Sequence, residues 1–241
     1  MKRFVIITAG GRGARIGGDL PKQFLPLAGK PVLMHTLQQF YDAIPDIECY
    51  LVLPEEHIVY WQKLCEKYAF NPPFRLVKGG ETRFHSVKNG LDAICETDGI
   101  VAIHDGVRPF VSQKLIIKTF AKAEEKEAVI PVIPVTESLR RTEANGSVMI
   151  DRNLYRLVQT PQTFRLDLLK EAYKQPYSER FTDDASVVEA LGKEIFLIEG
   201  IRGNIKITYP EDILWAEAFL SEKVESRSAE ICSKHIPYLP A

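Results

Sequence analysis

The residues best suited to chemistry come early in the chain, as Ala9-Gly10-Gly11-Arg12-Gly13-Ala14-Arg15-Ile16-Gly17 followed by Pro21-Lys22-Gln23-Phe24. Glycines let a backbone approach a ligand closely and offer N–H groups to phosphate oxygens. Arg12, Arg15 and Lys22 add cations within the same connection. Backbone donors plus local positive charge are what a polyphosphate requires; a Gly-rich turn with solvated basic residues is the plainer alternative. Two phosphate loops are excluded by spacing. No Lys-Ser/Thr follows the glycines, as a Walker A loop needs. A dinucleotide fingerprint fails as well, because its third glycine is displaced to Gly17 and the first acid closing a second strand, Glu55, comes too late.

A second group is His104-Asp105-Gly106-Val107-Arg108-Pro109. A carboxylate at the carboxyl end of a strand can coordinate Mg²⁺ or hold a ribose hydroxyl, which favours a functional Asp105. His104 reads as a satisfied core imidazole, and with no Gly-x-Ser-x-Gly elbow a hydrolase triad has little support. Gly79-Gly80-Glu81-Thr82-Arg83, with Ser86 beyond it, suits a helix cap and a base-recognition turn equally. Asp151-Arg152-Asn153 offers another cation, with Gln159-Thr160-Pro161-Gln162 close behind. Gly203-Asn204-Ile205-Lys206-Ile207-Thr208 places a lone Lys on a late strand, unusual unless it faces an edge or a site. Thr182-Asp183-Asp184 reads as a helix N-cap with acids in the first turn.

These residues need a scaffold, and the apolar pattern supplies one. Phe4–Thr8, Glu48–Leu53, Phe74–Val77, Ile100–Ile103 and Ala128–Pro134 are short β-branched runs that predict strands buried on both faces. Val32–Ile44, Glu55–Tyr68, Thr82–Cys95 and Gln113–Lys126 carry helical spacing between them. Alternation of this kind predicts parallel βαβ units in a Rossmann-like, three-layer α/β sandwich. The rhythm breaks at Thr136–Ile150, a polar stretch with an Asn145-Gly146 turn signal that predicts a projecting hairpin. It resumes with helices near Leu166–Tyr173, Thr182–Leu191 and Glu211–Leu220, and strands near Ile195–Ile198 and Ile205–Ile207.

The 241 residues, 45% hydrophobic and 26% charged, suit a globular chain with a sizeable core and exclude bulk disorder. Lys+Arg 31 against Asp+Glu 32 leaves a net charge of −1, so no global field points to nucleic acid or an anionic membrane. The apolar run Phe4–Ala9 is too short for a secretory signal, and no stretch is long enough for a membrane span. Cys49, Cys65, Cys95 and Cys232 are widely spaced without metal-site pairing, which predicts reduced, buried thiols in a cytoplasmic protein.

Together the segments resemble the sugar-phosphate nucleotidyltransferases, and within them the 2-C-methyl-D-erythritol 4-phosphate cytidylyltransferase family. The likeness is carried by Ala9-Gly10-Gly11-x-Gly13-x-Arg15-Ile16-Gly17, Pro21-Lys22-Gln23, Gly79-Gly80-Glu81-x-Arg83-x-x-Ser86-Val87, the His104–Pro109 segment, Asp151-Arg152-Asn153, Gln159–Phe164, Thr182–Ser186 and Asn204–Asp212. It spans about Phe4 to Leu220. The resemblance implies one nucleotidyltransferase domain over residues 1–223, a dimerisation arm at 135–152, and a loosely packed tail at 224–241. It further implies CTP, a polyol phosphate and Mg²⁺ as reactants and cofactor, in a homodimer whose sites are shared. By that likeness Arg15 and Lys22 hold the α-phosphate. Ala9, Gly10, Gly11, Gly13, Gly80 and Ser86 surround cytosine. Asp105 and Gly106 lie by the ribose, Asp105 also near the metal. Arg152, Lys206, Ser138, Arg108 and Thr160 grip the acceptor, Arg152 reaching in from the partner subunit. The sequence departs from the pattern at Thr8-Ala9-Gly10, where many members have an Ala-Ala pair, at Ser138, where a Thr often contacts substrate, and at Gly106, which replaces a common Ala and is expected to be sterically harmless. Ribitol-5-phosphate cytidylyltransferases share the first loop, and a non-catalytic nucleotide-binding module is the alternative from another class. The Asp151-Arg152-Asn153 and Thr182–Ser186 patterns favour the erythritol enzymes, and a pure binder has no need of both Arg15 and Lys22.

Overall fold

A computed structural model describes residues 1–11 and 20–221; Arg12, Gly13, Arg15, Cys232 and the expected tail lie outside the described residues. The chain runs β1 (Arg3–Thr8), β2 (Pro26–Leu27), β3 (Lys30–Pro31), α1 (Val32–Ala43), β4 (Glu48–Leu53), α2 (Glu55–Lys67), β5 (Phe74–Lys78), α3 (Arg83–Asp92), β6 (Ile100–Asp105), α4 (Gln113–Lys126), β7 (Ala128–Pro134), β8 (Leu139–Glu143), β9 (Gly146–Ile150), β10 (Arg156–Val158), β11 (Gln162–Arg165), α5 (Leu166–Ala172), α6 (Asp184–Glu189), β12 (Phe196–Glu199) and α7 (Pro210–Ser221).

The main sheet has the order β10-β7-β11-β6-β1-β4-β5, with β12 on the far side of β7. Strand β1 lies parallel to β4 on one flank and to β6 on the other. Winding therefore reverses between β1 and β6, and that crevice is where a doubly wound sheet binds its ligand. Alternate side chains of each strand point to opposite faces. Val5, Ile7 and Leu51 pack with Leu37, Phe40, Trp61 and Phe120 of α1, α2 and α4. Phe4, Ile6 and Val52 pack with Phe84, Leu91, Leu169 and Val187 of α3, α5 and α6. These are the three expected layers.

The structure revises several local expectations. Strand β5 is a half-exposed edge rather than a strand buried on both faces. Ile205–Ile207 forms no strand; it has no ladder, and its tie to the body is Ile207 N–H donating to the Val107 carbonyl at 2.9 Å, while Ile205 N–H donates locally to the Gly203 carbonyl at 2.8 Å. Strand β11, which the apolar pattern does not single out, enters antiparallel between β6 and β7. The hairpin at Thr136–Ile150 is present as β8 and β9, but its register pairs Glu143 with Gly146. The two loop residues are thus Ala144 and Asn145, and Gly146 opens β9 at φ +133°, a conformation only glycine adopts readily. Cys49 and Cys65 are buried as expected, whereas Cys95 is exposed. No helix among the described residues is long and apolar enough to cross a membrane.

Candidate active site

The carboxyl ends of β1 and β6 and the amino end of α3 meet at one cleft. Ala9 is fixed on both sides, its N–H donating to the Val52 carbonyl at 3.0 Å and its carbonyl accepting from Gln23 Nε2 at 2.8 Å. A Cβ on Gly11 would lie 3.1 Å from Lys22 Cε, so the bare glycine leaves room for the lysine stem to pass over it. Opposite, Thr82 caps α3 and Gly80 N–H donates to Ser86 Oγ at 3.1 Å. A Cβ on Gly80 would come within 2.4 Å of His85 Cβ, so this turn closes only with glycine. Thr82 therefore serves as the cap of α3, and from this turn Arg83 and Ser86 reach the cleft while Gly80 lines neither of its cavities.

Asp105, the last residue of β6, is the hub. Its Oδ2 accepts from Arg108 Nε at 3.0 Å and lies 3.1 Å from Lys206 Nζ, while Oδ1 faces Arg83 Nε at 3.9 Å. Burial alone would raise its pKa, but Lys206, Arg83 and Arg108 hold it well below the usual carboxylate range. Lys206 sits on no strand. Its loop is held by Arg108 Nη1 donating to the Asn204 carbonyl at 2.8 Å, Asn204 Nδ2 donating to the Thr160 carbonyl at 2.8 Å and Gln159 Nε2 donating to the Ile201 carbonyl at 2.9 Å. The lysine is positioned without a strand ladder.

Two cavities adjoin across this hub. One, of about 210 Å³, is lined by Ala9, Gly10, Gly11, Lys22, Gln23 and Ser86; the other, of about 300 Å³, by Arg108, Gln159, Thr160, Gln162, Thr182 and Asp183. Arg83, Asp105 and Lys206 line both. Gly106 lies just behind, its N–H donating to the Thr8 carbonyl at 2.9 Å. A Cβ there would fall 2.9 Å from Ala9 Cβ and 3.0 Å from Leu33 Cδ1, so the bare glycine fits without strain where, in this packing, an alanine would have to push its neighbours aside. Ser138 and Arg152 line a third hollow on the arm, with Met149 and Asp151, and the Arg152 guanidinium donates to the Thr136 carbonyl. Neither residue lines the cleft of its own chain.

Two members of the cleft escape a residue-by-residue reading. Gln23 is fully buried beside Ala9. Arg83 donates through both terminal nitrogens to Asp184, at 2.9 and 2.6 Å. Burial works against the Arg83 charge, yet Asp184 and Asp105 keep its pKa raised. The sequence presents Asp184 as a first-turn acid of α6, a role that does not require the complete burial it has. Its neighbour Asp183 is the N-cap, in a capping box with Ser186. A cation beside two glycines is the signal that could have marked Arg83.

The donor set does not suit Asp105 as a direct Mg²⁺ ligand. Both its oxygens face cations, and among the described residues no three His, Cys, Asp or Glu groups gather to hold a metal. What the arrangement does suit is phosphate, since Lys22, Arg83, Arg108 and Lys206 line the two cavities.

The chain is similar to known proteins over most of its length. The family model for 2-C-methyl-D-erythritol 4-phosphate cytidylyltransferase matches residues 4–222. The enzyme of that name from Phocaeicola vulgatus is 54% identical over 220 residues, covering 91% of this chain and 100% of the relative. The one from Porphyromonas gingivalis is 53% identical over 222 residues, covering 91% and 98%. The crystal structure of 2-C-methyl-D-erythritol 4-phosphate cytidylyltransferase from Thermus thermophilus superimposes with a TM-score of 0.72 at 33% identity, covering 92% of this chain and 100% of that one. 4-Diphosphocytidyl-2C-methyl-D-erythritol synthase from Anaerococcus prevotii gives 0.78 at 28% identity, covering 92% and 96%. Sequence and fold agree, and the chain belongs to the 2-C-methyl-D-erythritol 4-phosphate cytidylyltransferase family.

Proposed function

We infer that the paired cavities are the two halves of a cytidylyl-transfer site, in which CTP and 2-C-methyl-D-erythritol 4-phosphate give 4-diphosphocytidyl-2-C-methyl-D-erythritol and pyrophosphate for non-mevalonate isoprenoid synthesis. The observation that carries this reading is the wall of Arg83, Asp105 and Lys206 common to both cavities. A phosphoryl acceptor and its donor must meet in line across a short gap, and such a wall touches both. A phosphate oxygen of the acceptor attacks the α-phosphorus of CTP, and the bond to pyrophosphate breaks. No covalent enzyme intermediate is needed, so positioning and charge stabilisation supply the catalysis.

In this reading the Gly10–Gly11 side and the Gly80–Ser86 turn take the nucleoside, with Lys22 and Arg15 stabilising negative charge that grows on the α-phosphate. Lys206 faces the acceptor phosphate, held at its post by Asp105. The divalent cation implied by the resemblance comes with the nucleotide's own phosphates, since Asp105 is committed to its cations. Arg152 and Ser138 complete the acceptor side of a partner's cleft in a homodimer. Supporting that arrangement, the arm exposes Val148 and Met149, and the chain returning from it exposes Leu154 and Leu157, apolar surface that a second copy would cover. With its small-molecule substrates, the protein is assigned to the cytoplasm.

The test is release of pyrophosphate from CTP and Mg²⁺ with either 2-C-methyl-D-erythritol 4-phosphate or ribitol 5-phosphate. Turnover with the erythritol phosphate is expected. Turnover with ribitol phosphate alone, or CTP binding with no turnover, would overturn the assignment.

A further inference from the structure

Three residues that line the cleft, Asp105, Arg108 and Thr160, close a ring of hydrogen bonds with the buried His104 behind them, and the bonds all run one way. His104 Nε2 lies 3.3 Å from the Arg108 carbonyl, which can only accept, so that nitrogen carries the proton. Arg108 Nε donates to Asp105 Oδ2 at 3.0 Å. Asp105 N–H donates to Thr160 Oγ1 at 3.2 Å. Thr160 Oγ1 lies 2.9 Å from His104 Nδ1, and because the proton is on Nε2 the hydroxyl must donate here. Each residue gives one proton and receives one. Polarisation passes only along the relay from Asp105 N–H through the Thr160 hydroxyl and the conjugated His104 ring to the Arg108 carbonyl; at Arg108 and Asp105, where saturated carbons separate the accepting and donating atoms, the ring is closed by geometry alone.

We propose that His104 is a positioning residue of the transfer reaction: through Thr160 and Arg108 it fixes Asp105 at both its backbone and its carboxylate, and thereby the placement of Lys206. The proposal rests on the reading of the cleft given above. It assigns His104 more than the core-filling role its sequence context suggests, and it commits the single hydroxyl proton of Thr160 to the protein rather than to the acceptor. His104 is fully buried, its ring edge-on to Phe40 at 4.9 Å. Burial pushes its pKa down to about 3, so at neutral pH the imidazole stays neutral and the ring keeps its direction. A protonated imidazole would leave Thr160 no acceptor at Nδ1 and would reverse that link.

Wild-type turnover with 2-C-methyl-D-erythritol 4-phosphate is measured first, because its absence defeats the functional reading, not the ring. ¹⁵N-histidine NMR of the intact protein at neutral pH then reads the tautomer directly, whatever the activity. The expected result is Nε2–H with a bare Nδ1, whose resonance moves in Thr160→Val and keeps its place in Thr160→Ser. The opposite tautomer overturns the proposal. In kinetics, Thr160→Val and His104→Phe each lower kcat/KM for the acceptor by about tenfold or more, as misplacement of the reacting groups does. Thr160→Ser rescues activity, and the double variant falls no further than the worse single one, within about twofold. Multiplying losses would mean that Thr160 acts on the acceptor independently of His104, and a native-like His104→Phe would remove the positioning role. If His104→Phe does not fold, the Thr160 pair and the tautomer still decide.

Discussion

Arg83 and Asp184 lie 101 positions apart yet form a two-pronged ion pair, and Tyr173 donates its hydroxyl to the same carboxylate at 2.7 Å. The pair ties the helix that follows the Gly79-Gly80 turn to the helix that closes the second cavity. Removing one partner of a buried pair leaves the other charged and unmatched. Asp184→Ala should therefore cost about 3 kcal/mol, the lower end of the range for buried pairs, since the Arg83 side chain is 31% exposed. Urea unfolding measures it; a loss under about 1 kcal/mol would place the pair among solvent-screened contacts.

Lys22 lines only the first cavity whereas Lys206 lines both, and the two should fail in different ways. Lys22→Ala should cut kcat by about 10²–10³-fold with a smaller rise in KM for CTP, as loss of a charge-stabilising contact does. Lys206→Ala should raise KM for the acceptor while calorimetric CTP affinity holds. Swapped phenotypes would reverse the assignment of the two cavities.

Gly106 and Gly10 offer a paired steric test. Gly106→Ala overpacks against Ala9 and Leu33 and should cost about 1–3 kcal/mol, with weaker CTP binding because Ala9 must shift. A Cβ on Gly10 meets nothing nearer than 3.9 Å, so Gly10→Ala should melt close to wild type. Equal melting temperatures for the two variants would show that the Gly106 contact relaxes freely.

Acid should destabilise the protein in two stages. The folded His104 pKa of about 3 is below its ordinary value of about 6.5. Its stabilising contribution is complete above the ordinary value and drains away as pH falls towards the folded one, because only the unfolded chain takes up the proton. The slope is at most about 1.4 kcal/mol per pH unit for one group. His35, also lowered by burial, adds to it. Asp105, held low by its cations, contributes in the same direction only below the ordinary carboxylate pKa of about 4. Between about pH 4 and 6.5 the slope of unfolding free energy should therefore flatten in His104→Asn; an unchanged slope would mean His104 titrates normally in the fold.

Sharing of sites between subunits can be counted. Lys22→Ala and Arg152→Ala, each nearly inactive, are mixed under conditions that exchange subunits. Half the dimers become mixed, and each holds one site with both native residues, so activity should return to about a quarter of wild type in a two-fold dimer. Verified exchange without recovery would put both residues in one chain's site.

How far the chain can be read from its letters depends on whether the relevant physics is local. Phe4–Thr8 and Ala128–Pro134 announce themselves because a strand buried on both faces must be continuously apolar. Asp105 can be placed at a strand's carboxyl end for the same reason. Strand β11 escapes because Gln162–Arg165 is four residues long, and only its neighbours β6 and β7 make it a strand. Ile205 and Ile207 flank Lys206 in alternation and so suggest a strand, but what holds the lysine is a set of side-chain amides from Gln159 and Asn204. The bond between Arg83 and Asp184 leaves no local trace, and the burial that distinguishes Asp184 from an ordinary first-turn acid exists only after folding.

The reversed direction of β11 has an architectural result. A parallel strand presents only its far end to the ligand-binding rim, so each such strand delivers one loop there. An antiparallel strand starts at that rim, and the chain before it must already have arrived from outside. Pro134 and Arg156 are cross-strand neighbours, so the arm's two roots stand side by side on the rim that bears Asp105. The arm is thus a detour inserted at the workbench itself, with β7 leaving and β10 returning through one doorway. Lengthening or trimming it would leave the sheet's plumbing intact and change only what projects from this rim, so the arm can vary without disturbing the strands that carry Asp105.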